Sequence, residues 1–110
     1  MIFLILLVSV TSVFAACDCL DRNELGRSTW FLLHEVVRSD PLPEVFGQFM
    51  WSLSELYPCE ICRAHISDYL NEYPPEMSEH WMCEFHNAVN DRLDKPKIEC
   101  IKDIDIPWNV

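Results

Sequence analysis

Four stretches of helical apolar spacing, cut apart by prolines, constrain this chain more than any other feature. Trp30, Leu33, His34 and Val37 recur at i, i+3, i+4 and i+7, which gathers them on one face of a first helix. Phe46, Phe49, Met50, Leu53, Leu56 and Tyr57 continue that period after Pro41 and Pro43. Pro43 suits the first turn of the second helix, where a missing N–H costs nothing. Pro58 ends that helix and starts a third, with Cys62, Ile66, Tyr69, Leu70 and Tyr73 as its apolar face. Pro74 and Pro75 close it. Ser78 is placed to cap a fourth helix running to about Leu93, and Asp94-Lys95-Pro96 breaks that one. The tail allows one further turn around Ile101 to Ile104. No period-2 alternation competes, and 2 Gly in 110 residues are few for tight hairpins or phosphate-cradling loops. The expectation is one small all-α domain, a helical bundle.

Residues 1–16 carry no charge and are almost wholly apolar. At ~1.5 Å per residue a helix of that length reaches only ~24 Å, short of a ~30 Å hydrocarbon core. A cleaved secretory signal and a retained membrane anchor both fit, and either points to a secretory or membrane-bounded compartment. Residues 17–25 read as a flexible polar arm. A formal net charge of −10 argues against a sequence-independent grip on nucleic acid, which needs a basic surface.

The chemistry lies in the 6 cysteines. Cys17-x-Cys19, Cys59-x-x-Cys62, Cys83 and Cys100 fit a disulfide framework or a metal site, and spacing alone leaves many pairings open. Cys59 and Cys62 are within disulfide reach on a helix. At a helix N-terminus, free N–H groups and the dipole stabilise a thiolate, so Cys59 is expected to be an exposed, reactive sulfur. A zinc site from Cys59, Cys62, Cys83 and His86 is an acceptable tetrahedral set, although both ligand pairs would sit on apolar-faced helices. A c-type haem needs His directly after the second cysteine, and position 63 is Arg63. A thioredoxin-like pair follows a strand, whereas the residues before Pro58 are helical by period.

On the fourth helix Cys83, His86, Asn87 and Asn90 fall on one polar stripe, beside an apolar one through Met82, Phe85 and Val89. His and two Asn on one stripe suit a polar ligand laid along the helix. Trp30 and His34 are i, i+4 neighbours with Arg27 a turn earlier, a pattern of core packing or of a stacking platform for a ring system.

Gly26-Arg27-Ser28-Thr29-Trp30-x-x-Leu33-His34, Tyr57-Pro58-Cys59-x-x-Cys62, Trp81-x-Cys83-x-x-His86-Asn87-x-Val89-Asn90 and Lys95-Pro96-x-x-x-Cys100 occur in that order. With these motifs the chain resembles the Erv/ALR family of FAD-linked sulfhydryl oxidases over about Gly26 to Trp108. The resemblance implies a four-helix bundle with a short fifth helix, binding FAD over residues 26–110, as a homodimer. It implies that Cys59 and Cys62 are the catalytic pair, Cys62 against the flavin and Cys59 exchanging with incoming thiols. Cys83 and Cys100 would form a structural disulfide, and Cys17 and Cys19 a shuttle pair. Arg27, Trp30, His34, Tyr57, His86, Asn87, Asn90, Lys95 and Trp108 would contact FAD. Asp94 departs from the Gly that relatives often have before Lys-Pro.

A flavin accepts two electrons from thiols and passes them to O₂, giving hydrogen peroxide. The implied partners are thiol-bearing client proteins or a dithiol carrier, with oxygen as acceptor. The leader favours the endoplasmic reticulum or another secretory membrane, and family members also work in the mitochondrial intermembrane space and in large DNA viruses. A helical zinc-binding interaction module and a disulfide-stapled, non-catalytic secreted protein are the other readings.

Overall fold

Asp21 starts the first helix. Its carboxylate accepts the backbone N–H groups of Asn23 and Glu24 at 2.9 and 3.3 Å, satisfying two donors that a helix start leaves open. The computed structural model describes residues 20–100. Helix α1 spans Arg22–Arg38, so the stretch expected to be a flexible arm through residue 25 is helical from Arg22. The Asp21 cap is the reason, and apolar periodicity could not report it. The leader, Cys17, Cys19, Trp108 and the turn expected around Ile101 to Ile104 all lie outside the described residues.

Helix α2 spans Pro43–Leu56, with Pro43 in its first turn. Tyr57 leaves the helix with ψ at 128°, the extended backbone that a following proline imposes. Pro58 therefore ends α2 without entering the next helix. Helix α3 spans Glu60–Glu72, and Cys59 is its N-cap. Helix α4 spans Glu79–Arg92; Ser78 caps it by accepting the Trp81 N–H at 3.0 Å.

A tight turn closes α4. Asp94 adopts φ of 57°, the Lys95 N–H reaches back to the Asn90 carbonyl at 2.8 Å, and the Asp94 N–H bonds the Asp91 carbonyl at 3.2 Å. That pair of bonds is a Schellman C-cap, in which the left-handed residue is usually Gly. Aspartate takes the place at modest cost because its short polar side chain tolerates the left-handed region. The turn fixes where Lys95 emerges.

α1 packs against α4, and α2 against α3. Leu33, Val37, Phe46, Met50, Ile66, Leu70, Trp81, Met82 and Phe85 form the buried core. All four expected helices are present, and no strand occurs among the described residues. Two residues of the expected α2 face stay outside the core: Phe49 and Leu56 are exposed, Leu56 by 76 %. The real core stripe of α2 is the narrower one through Phe46, Met50 and the buried Ser54.

Candidate active site

Cys59 and Cys62 are joined as a disulfide, their Cα atoms 5.2 Å apart, at the start of α3. The Cys59 sulfur folds back over the helix start and accepts the Cys62 N–H at 3.4 Å. This buries it: Cys59 is 6 % exposed, whereas Cys62 is half-buried. The expectation of an exposed Cys59 is thus corrected, because capping turns its side chain inward.

Three contacts fix the approach to this pair. The Tyr57 carbonyl accepts from the Cys59 N–H at 2.7 Å and from Arg63 Nη1 at 2.6 Å, so Arg63 braces the linker that carries the disulfide. Thr29 gives its only hydroxyl proton to the Leu25 carbonyl at 2.7 Å, so at 3.2 Å the Tyr57 hydroxyl donates to Thr29. α1 thereby holds the Tyr57 ring beside the cysteines.

Both cysteines line a cavity of about 380 Å³ whose apolar walls include Trp30, Leu33, Ile66 and Phe85. Its charged members are all cationic: Arg22 and Arg27 from α1, Arg92 from the end of α4, and Lys95 from the Schellman turn. Half of the chain's 8 Lys and Arg thus surround one cavity, and no Asp or Glu among the described residues lines it. In so acidic a chain this is a concentrated positive field. Burial lowers the Arg92 pKa, with Asp68 opposing. His65, one turn beyond Cys62 on α3, also lines the cavity.

Behind Trp30 lies a buried histidine pair. Trp30 stacks on His86 with ring centroids 3.8 Å apart and planes 9° from parallel, and His34 Nε2 lies 3.0 Å from His86 Nδ1. His34 is 5 % and His86 0 % exposed. Desolvation, then the neighbouring His86 and Arg38, lowers the His34 pKa to about 3; desolvation and Lys95 lower that of His86 to about 4. Both rings are therefore neutral at pH 7, one nitrogen donating and the other accepting.

Because these pKa values lie below the unfolded value of 6.5, the unfolded chain binds protons first as pH falls. Stability from the pair is complete above about pH 6.5 and drains as pH drops toward 4. Urea unfolding is expected to show a loss of roughly 4–5 kcal/mol between pH 7 and 4.5, and His34→Gln should remove about half of that dependence. An unchanged pH profile in the variant would contradict this role.

The sequence-expected residues sort unevenly. Arg27, Trp30, Tyr57, Cys59, Cys62 and Lys95 line the cavity, while His34 and His86 form the layer behind Trp30. Asn90 is 3 % exposed, and its carbonyl anchors the Lys95 turn. Asn87 does not belong to the cavity: its carboxamide accepts the Ile98 N–H at 2.9 Å and donates to the Ile98 carbonyl and to Cys100 Sγ. It clamps the segment after α4. Arg22, Thr29, His65 and Arg92 were missed, because Arg22 and Arg92 converge only through the packing of α1 on α4.

The zinc reading fails on the pairing of the sulfurs. Cys83 is bonded to Cys100, their Cα atoms 5.7 Å apart, and Cys59 to Cys62. Cys59, Cys62, Cys83 and His86 therefore offer no common set of free thiolates, and no group of three or more candidate ligands occurs among the described residues.

A helical bundle that seats a CxxC disulfide at a helix N-terminus, beside an aromatic cavity ringed by cations, defines a thiol–disulfide protein with room for an anionic, ring-bearing group. The Erv1/Alr family model matches residues 27–109, and the chain belongs to that family. The mitochondrial FAD-linked sulfhydryl oxidase ERV1 of Saccharomyces cerevisiae is 38% identical over 91 residues, covering 73% of this chain and 48% of that protein. The FAD-linked sulfhydryl oxidase of African swine fever virus is 36% identical over 59 residues, covering 47% of this chain and 50% of its own. The crystal structure of the FAD-binding domain of Erv1 from Saccharomyces cerevisiae superposes with a TM-score of 0.69 at 39% identity, covering 74% of this chain and 88% of that one. The chain spans about half the length of the curated relatives it matches.

Proposed function

We propose that this protein is an FAD-dependent thiol oxidase that makes disulfides in thiol-bearing proteins. The observation that carries this is the Cys59–Cys62 disulfide in the wall of a cavity ringed by four cations and, among the described residues, by no carboxylate. The donor set fits FAD: the cations match its diphosphate, and Trp30, Tyr57 and the apolar walls match its rings. FAD, when bound, supplies a two-electron acceptor that O₂ reoxidises.

The protein's own residues do the rest. An incoming thiolate attacks one sulfur of the Cys59–Cys62 bond and forms a mixed disulfide; a second substrate thiolate then attacks that mixed disulfide, releasing the oxidised substrate and leaving Cys59 and Cys62 reduced. Cys62, the less buried of the two and like Cys59 a wall of the cavity, is the sulfur proposed to face the cofactor. Cys59 is then the sulfur left for exchange, through a narrow approach set by its 6 % exposure. The α3 N-terminus stabilises the thiolate that leaves. Over a full cycle two substrate thiols and one O₂ become one disulfide and hydrogen peroxide.

Arg22, Arg27, Arg92 and Lys95 hold the cofactor by charge. Lys95→Glu replaces an attraction by a repulsion, and is expected to weaken FAD binding at least about tenfold. Fluorescence titration of the apoprotein with FAD measures it; unchanged affinity would remove Lys95 from the site.

Cys17 and Cys19 are proposed to pass electrons from protein substrates to the Cys59–Cys62 pair. Replacing both should slow oxidation of a reduced protein while sparing that of dithiothreitol. Equal loss on both substrates would make the pair structural. A homodimer is proposed too, because α1 leaves Phe31 and Leu32 exposed and α2 leaves Val45, Phe49 and Leu56 exposed; a monomeric mass in light scattering would sink it. The named relatives include mitochondrial and viral enzymes, and one of those two settings is proposed over the secretory one.

A further inference from the structure

Arg63 places a positive charge where a helix disfavours one. It sits in the first turn of α3, and its side chain turns back over the helix start to give Nη1 to the Tyr57 carbonyl at 2.6 Å. The open N–H groups there already carry a partial positive charge, so an added cation is repelled. Arg63 is half-buried, yet no carboxylate lies within ion-pair distance of it among the described residues, Glu60 of the same turn included. Arg38 on α1 shows the usual arrangement, with Glu35 and Glu79 on its guanidinium. A neutral carbonyl alone compensates poorly for a charge taken partly out of water.

Beside that charge stands the buried cysteine. The Tyr57 carbonyl that accepts from Arg63 also accepts the Cys59 N–H at 2.7 Å, so the guanidinium and the Cys59 backbone meet on one oxygen. Cys59 is 6 % exposed, and among the described residues its sulfur accepts a single N–H, that of Cys62 at 3.4 Å. In the disulfide that sulfur is neutral. Once the Cys59–Cys62 bond is reduced, a thiolate forms at the same place, and burial opposes it. One long sulfur hydrogen bond and the helix start are set against that desolvation. A fixed cation one acceptor away shifts the balance toward the anion.

We propose that Arg63 is a positioning residue of the redox pair, held by the Tyr57 carbonyl so that its charge stabilises the thiolate that appears when the Cys59–Cys62 bond breaks. The inference rests on the reading of this pair as redox-active. A substrate thiolate attacks one sulfur, and the electron pair of the Cys59–Cys62 bond goes to the other. A second substrate thiolate then closes the substrate disulfide and leaves the pair reduced by two electrons. Arg63 favours that reduced side. The other titratable groups at the pair line the cavity: Arg22 and Arg27 from α1, Arg92 and Lys95 from the end of α4, and His65 and Tyr57 beside the cysteines. α2 lines it with Leu53 alone, and the exposed Glu60 opposes these cations from the helix start. Arg63 lines no part of the cavity, so its charge stays with the cysteines when a bound anion occupies the other four cations.

The test equilibrates the full chain with glutathione buffers under nitrogen, then quenches with acid, alkylates, and reads the Cys59–Cys62 peptide by mass spectrometry. This gives the constant for reduction of that bond alone. Arg63→Gln keeps an N–H for the Tyr57 carbonyl but removes the charge, and its constant should fall about three- to tenfold. Iodoacetamide alkylation of the reduced pair, read on the same peptide, should move to higher pH in that variant. Arg63→Met, neutral and of similar length, should fall with it. Arg63→Lys keeps the charge and should stay within about twofold of the wild type. A purely structural brace would be served by glutamine as well as by lysine. A neutral variant with the wild-type constant, or a lysine variant that falls as far as the glutamine one, would overturn the proposal. A chain that binds no FAD still yields this constant, so failure here is distinguishable from failure of the oxidase reading.

Discussion

Cys62→Ser is expected to bring thiol oxidation down to background for every substrate, dithiothreitol included, while the protein stays folded and keeps its affinity for FAD. Serine cannot form the disulfide with Cys59, and its hydroxyl is not ionised at neutral pH, so neither electron uptake nor delivery is possible. The structural cost is small. Cys62 is half-buried on the cavity wall, and its backbone N–H, not its side chain, makes the capping bond to Cys59. The four cations and Trp30 are untouched. Oxygen consumption with dithiothreitol and a parallel FAD titration measure the two halves of this result. Residual oxidation in the variant would show that another pair can reduce the cofactor, and the role given to Cys62 would fall.

The double replacement Cys83→Ala/Cys100→Ala should cost about 3 kcal/mol of stability, since it opens a loop of 17 residues' separation that the disulfide closes in the unfolded chain. It should also reach the cofactor site. Asn87 holds Ile98 by two bonds and donates to Cys100 Sγ at 3.1 Å, so the disulfide and the clamp together pin the segment after Lys95. With the disulfide gone, the Asn87 carboxamide and the exposed Lys97–Asp91 ion pair are left to hold that segment, and FAD affinity should fall with stability. Urea unfolding reads the first effect and FAD titration the second. An unshifted unfolding midpoint would show that the clamp alone suffices.

The sequence made the helices legible because their determinants are local. Prolines at 43, 58, 74 and 75 and the Ser78 cap mark ends that backbone chemistry dictates, and the structure places helix ends within a residue or two of them. The redox pair was legible for the same reason. What was hidden depends on how helices meet. Arg22 and Arg92 are 70 positions apart by number, and only the packing of α1 on α4 turns them into one positive field. The inward turn of Cys59 comes from the sulfur acting as an N-cap, a role that residue type does not advertise. The clamp that Asn87 makes on Ile98 is hidden for the same reason, since a polar residue that holds a returning chain looks in sequence like any other on that stripe. The Asp21 cap is hidden because the polar composition around it reads as an unstructured arm.

The central claim is that electrons pass from thiols through the Cys59–Cys62 pair to a bound flavin. A visible absorption spectrum of the purified chain, supplied with FAD and freed of excess, tests it most directly when dithiothreitol is added under nitrogen and air is then admitted. The account predicts flavin bands that bleach with the thiol and return in air. A protein that remains colourless after reconstitution, or whose flavin bands ignore the thiol, would contradict it.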